Sequence, residues 1–216
     1  MKSFKINGKE YSIISSWDEM SLEQYISFYK MHEKRKDAEI DDLYLIELLE
    51  FFSGCDEILL APQSELGDLL LNLNFLMETP TMNSNKHLKF EDKNYSFVDF
   101  NKLTTGEYIS IKMLQKSFPN PLDCIPYILS IILRPSTISV DAETGEDVYI
   151  IEEFKTENIE WRAKNYRNMF KAIDVINFIT FFLTMRNQSM KTTQSSSKVD
   201  KKVVDGHPKS LNNTIG

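Results

Sequence analysis

The sequence predicts an α+β fold, mainly α, built as two related units that each open with a β-hairpin and continue into a small helical bundle. Three observations lead there. Lys89-Phe90-Glu91-Asp92-Lys93-Asn94-Tyr95-Ser96-Phe97 lies on Lys5-Ile6-Asn7-Gly8-Lys9-Glu10-Tyr11-Ser12-Ile13 at a constant offset of 84 residues. Glu107-Tyr108-Ile109-Ser110 lies on Gln24-Tyr25-Ile26-Ser27 at an offset of 83, and similarity at a near-constant offset marks a repeated supersecondary unit. A chain of 216 residues with 42% hydrophobic and 12% aromatic content has enough apolar surface to bury real cores. The reading divides the chain into a first unit (1–80), a second related unit (88–188) and an extended polar, basic tail (189–216).

Apolar and polar residues alternate around Asn7-Gly8, the strongest short hairpin signal, so 4–14 is a hairpin. Ser21 with Gln24 three residues later is a capping box, and Leu22, Tyr25, Ile26 and Tyr29 follow at helical spacing over 22–32. Asp41 and Asp42 open a second helix that Gly54 ends; its apolar residues, Leu45 to Phe52, cover more than one face and predict a central position. Leu66, Leu69, Leu70, Leu73, Leu76 and Met77 predict one helix from Ser64 to the stop at Pro80. Thr79 to His87 is a linker.

The second unit repeats the plan. A hairpin at 88–98 turns through Glu91-Asp92, and Thr104 with Glu107 repeats the capping box. Tyr108, Ile109, Ile111 and Leu114 stand where Tyr25, Ile26, Phe28 and Met31 stand. Trp17 and Phe100 are expected to hold each hairpin to its helix. A helix over roughly 122–134 stops at Pro135, with Pro126 near its first turn. Ile138 to Ile150 then reads as an inserted hairpin around the acidic turn Asp141 to Asp147. After Asn158 a long helical stretch runs to about Arg186, with a break near Asp174.

The formal charge of −7 is uneven: 189–216 is +3 and the rest −10. An acidic body argues against general nucleic-acid binding. No apolar run approaches the ~18 residues of a membrane span. The N-terminus opens into a strand pattern with no apolar signal region, which points to the cytoplasm or an assembly built there. Cys55 and Cys124 read as free structural thiols. His32, His87 and His207 never pair at metal-ligand or triad spacing, and the acidic turn lacks the ligand spacing of a calcium loop. The chain has no clustered glycines to cradle a phosphate. Asp18, Glu19 and Glu23 are explained by the positive end of a helix dipole. An enzyme would need Trp17, Asp18, Glu23 and a histidine around one cleft. No catalytic, cofactor or metal site is expected. The candidate partner-binding residues are Phe178, Phe181, Phe182 and Leu183 in the apolar block, and Lys191, Lys198, Lys201, Lys202 and Lys209 in the tail.

A hairpin with Gly-Lys-x-Tyr, a capped helix opening Ser21-Leu22-Glu23-Gln24-Tyr25, a helix ending Phe51-Phe52-Ser53-Gly54 and a leucine-periodic helix together resemble the small head-tail and tail-assembly proteins of tailed bacteriophages. Leu48 to Gly54, followed by an acidic residue and another Leu-rich helix, is similar to the helical core of phage tail assembly chaperones. The duplicated form, with its hairpin and polar tail, looks more like structural proteins of crAss-like phages. The resemblance covers most of 4–78 and 88–134. It implies a non-enzymatic virion protein, a ring subunit at the portal, neck or tail that binds other phage structural proteins and copies of itself, assembled in the host cytoplasm. The alternative it implies is a tail assembly chaperone absent from the mature particle.

Overall fold

The first hairpin turns where expected because Asn7 and Gly8 both sit at positive φ, +50° and +77°, the twist a tight two-residue turn needs. It joins β1 (Lys2–Ile6) to β2 (Lys9–Ile13), paired antiparallel with Ile6 opposite Lys9. The computed structural model describes residues 1–35, 41–81, 85–178 and 180. The fold is α+β and mainly α, and Met1–Asn177 forms one compact unit.

A short 3-10 turn, Trp17–Glu19, leads into α1 (Leu22–Lys34), whose Ser21 and Gln24 make both bonds of the capping box. α2 (Asp42–Ser53) is capped by Asp41 and closed by Gly54 at φ +66°, where a left-handed residue satisfies the last carbonyls. α2 is not the central helix. It buries a single stripe, Tyr44, Leu48, Leu49 and Phe52, and leaves Leu43 exposed. The predicted helix from Ser64 to Pro80 also divides: α3 (Gln63–Asn72) gives way to a 3-10 turn, Leu73–Met77. Asn72 Nδ2 donates to the carbonyls of Asp68 (2.7 Å) and Leu69 (3.3 Å), competing with the helical ladder at that point. The tighter turn buries Leu73 and Phe75 and exposes Met77.

The hairpin, 3-10 turn and capped helix recur in the second half of the chain. β3 (His87–Phe90) and β4 (Lys93–Phe97) pair in the equivalent register, with Glu91 now the positive-φ turn residue. The 3-10 turn Phe100–Lys102 follows, then α4 (Thr105–Ser117) with its complete Thr104–Glu107 capping box. α5 (Pro121–Ile132) starts one residue earlier than expected, so Pro121 holds the tolerated first position and Pro126 lies in the second turn. α5 is the centre of the molecule, with Leu122, Ile125, Ile128, Leu129, Ile131 and Ile132 among its buried residues.

Pro135 does not stop this helix. The chain leaves helical geometry at Leu133 and enters β5 (Leu133–Val140), in which Pro135 pairs with Tyr95. The acidic hairpin, β5 with β6 (Asp147–Ile151), is therefore no separate insert: it extends the second hairpin into a sheet of order β3-β4-β5-β6. One face of this sheet packs on α6 (Ile159–Met169). Tyr95 meets Tyr166 and Phe170 edge-on at centroid distances of 6.0 and 5.3 Å, and the Tyr166 hydroxyl donates to the Leu133 carbonyl (3.0 Å).

The break expected near Asp174 falls instead at Phe170 and Lys171, before a helical segment, α7 (172–178). Its cause is tertiary. Leu22 N–H donates to the Phe170 carbonyl (3.0 Å) and Ala172 N–H to the Met20 carbonyl (2.9 Å), an antiparallel bridge centred on Ser21 and Lys171. Arg167 adds an ion pair with Glu23 at 2.6 Å.

Candidate interaction surfaces

The two copies of the hairpin-helix unit share local chemistry and differ in what covers them. On α1, Tyr25 is 8% and Ile26 1% exposed; their equivalents on α4, Tyr108 and Ile109, are 49% and 51% exposed. The Phe170–Ala172 bridge accounts for part of the contrast, because it seals the N-terminus of α1, and α6 packs along that helix. At the equivalent first position of α4, Thr105 is exposed where Leu22 is fully buried. α4 instead buries Glu107, Ile111 and Gln115. Tyr108, Ile109 and Met113 therefore form an open apolar stripe at helical spacing. Lys112 Nζ stands 5.6 Å over the Tyr108 ring, and Lys116 continues the stripe.

The second open surface is the outer part of the β5–β6 ribbon. Ile138 and Val140 are exposed on one face and Val148 and Ile150 on the other. Strand alternation normally hides one face; here both faces leave apolar side chains exposed, and His87 of β3 stacks only on Tyr149, opposite Ile138. The tip is rigidly turned: Asp141 Oδ1 accepts from the amides of Glu143 (2.9 Å) and Thr144 (2.8 Å), and Gly145 takes φ +71°. Those amides hold the Asp141 carboxyl below its ordinary pKa. Glu143, Glu146 and Asp147 complete an acidic tip.

Between the ribbon's base and α4 lies a buried ionic cluster. Arg134 pairs with Glu107 at 2.8 Å, both deeply buried, and Arg162 pairs with Glu152 at 2.7 Å. Burial lowers the Arg134 pKa, and the Glu107 carboxylate opposes the shift. The cluster borders a cleft of about 660 Å³ that also reaches Val98, Lys102, Thr104 and Phe154. A second cleft, about 860 Å³, is lined by Trp17, Asp18, Phe75, Glu78 and Asp174, among others. It carries two of the residues an enzyme reading requires. Glu23 instead faces Arg167, and among the described residues no histidine lines the cleft.

The histidines within the described residues sit in local contacts. His32 Nδ1 lies 3.2 Å from the Tyr44 hydroxyl, and His87 Nδ1 lies 2.7 Å from Ser96 Oγ while its ring stacks on Tyr149. Cys55 and Cys124 are buried and not joined in a disulfide. Glu19, read as a dipole partner, accepts from the Ser15 amide (2.7 Å) and pairs with the N-terminal amine. Trp17 is buried edge-on against Phe75 at 5.3 Å, whereas Phe100 is half-buried. No helix among the described residues is long and apolar enough to cross a membrane.

Of the candidate partner-binding residues, Phe178 is half-buried and helical. Phe181, Phe182, Leu183, Lys191, Lys198, Lys201, Lys202 and Lys209 lie outside the described residues, as does His207. Sequence reasoning missed the α4 stripe, since its letters match those of a buried helix. The signal available was Thr105 in place of Leu22. No family model, curated protein or solved structure matches the chain.

Proposed function

We propose that this chain is a non-enzymatic structural protein of a tailed-phage virion, a subunit of a ring at the portal, neck or tail. The observation that carries the reading is the unequal covering of a duplicated unit: α1 is sealed while α4 and the β5–β6 ribbon stay open. Apolar stripes of this kind on a chain with a well-filled core are contact surfaces. The resemblance of the hairpin, capped helix and Leu-rich helices to small phage head-tail proteins supplies the setting. A ring subunit needs two different surfaces, one toward each neighbour. Its partners are copies of itself and other phage structural proteins, and its place is the virion, assembled in the host cytoplasm.

Mass spectrometry of gradient-purified particles tests this. The expected result is the chain present in the particle at a copy number similar to that of other ring proteins. A chain abundant in infected cells and missing from purified particles overturns the proposal in favour of an assembly chaperone.

A further inference from the structure

Building on the ring-subunit reading, we propose that the β5–β6 ribbon of one copy docks on the open α4 face of a second copy of this chain. The two surfaces are complementary in polarity. One face of the ribbon exposes Ile138 and Val140, and α4 exposes Tyr108, Ile109 and Met113. They are also complementary in charge. The ribbon tip carries Asp141, Glu143, Glu146 and Asp147, whereas α4 carries the exposed Lys116, with the exposed Lys102 just ahead of the helix. The acid on α4 itself, Glu107, is buried and neutralised by Arg134, so it does not repel an acidic tip.

Their sizes agree as well. α4 has 13 residues, about 20 Å of helix at 1.5 Å per residue. The strand from Ser136 to the turn covers a similar distance at about 3.3 Å per residue. Both surfaces are exposed within one copy, so neither covers the other in the same molecule. They are different patches, which makes the contact head-to-tail. Each docking leaves one ribbon and one α4 face open at the ends, and assembly continues until it closes.

The experiment uses the full chain and reads mass by sedimentation velocity across a concentration series. Wild type is expected to assemble beyond the monomer. Glu143→Lys with Glu146→Lys, and separately Lys102→Glu with Lys116→Glu, should each raise the dissociation constant at least tenfold at an unchanged thermal midpoint. Mixing the two variants in equal amounts should restore association, because the reversed charges then face each other. If the lysine reversals unfold α4, Ile109→Asp at an exposed position is the second probe, with the same loss expected. A monomeric wild type, assembly indifferent to these variants, or a mixture no better than its parts overturns the docking. Its failure is separable from failure of the ring reading: a chain found in purified particles yet monomeric in solution removes this contact and leaves the virion assignment standing.

Discussion

Glu107 and Gln24 hold the same place in the repeat, and their side chains do unequal amounts of work. Gln24 accepts from the Ser21 amide (3.0 Å) at a half-buried site. Glu107 does the same for Thr104 (2.6 Å) and also neutralises the buried Arg134. Gln24→Ala is thus expected to cost about 1 kcal/mol, the worth of a cap. Glu107→Ala is expected to cost about 3–5 kcal/mol, because a buried guanidinium loses its counter-charge; urea denaturation of both variants checks the ratio. His87 makes a pH prediction. Burial, aided by Lys86, lowers its pKa below the usual 6.5, so the unfolded chain binds the proton more readily than the folded one. The stability it contributes is complete above about pH 6.5 and is lost as pH falls through the lower folded value. Between pH 7 and 6 the wild type should lose stability that His87→Gln does not lose.

The hairpins and helix caps were legible because the signals for them are local. Asn7-Gly8, Ser21 with Gln24, and Thr104 with Glu107 each fix a turn or a first helical turn using neighbours in sequence. What escaped was decided at a distance. The Phe170–Lys171 break is set by backbone groups of Met20 and Leu22, and the run of Leu133 into β5 by pairing with β4. The open α4 stripe belongs with them, since burial is not written in the letters of Tyr108 and Ile109. Two glycine exchanges test the turns. Gly54→Ala meets no atom within 4 Å, so its cost is conformational, about 1 kcal/mol for the left-handed backbone. Glu91→Gly relieves the same kind of penalty at φ +51° and should stabilise the second hairpin by about 0.5–1 kcal/mol; thermal melts of the two variants should shift in opposite directions.

Across the whole molecule, Phe170 is the joint between the halves. Its ring packs on Tyr95 and Tyr166 from the second unit, while its carbonyl accepts from Leu22 in the first. Phe170→Ala should cost about 3–5 kcal/mol and also speed amide exchange at Leu22 and Ala172, two sites far apart in sequence. Exchange at Leu22 unchanged from wild type would show that the bridge holds without the ring. The Ser21–Lys171 bridge also governs how the chain comes off the ribosome. β1, β2 and α1 are made early, yet the group that satisfies the Leu22 amide is not synthesised until Phe170 emerges. Contacts so distant in sequence carry a large loop-closure cost and slow folding. A nascent chain stalled short of Phe170 holds an α1 whose Leu22 amide has no partner yet, and it is in that interval, before roughly the last fifth of the protein exists, that the chain is most prone to stick to its neighbours.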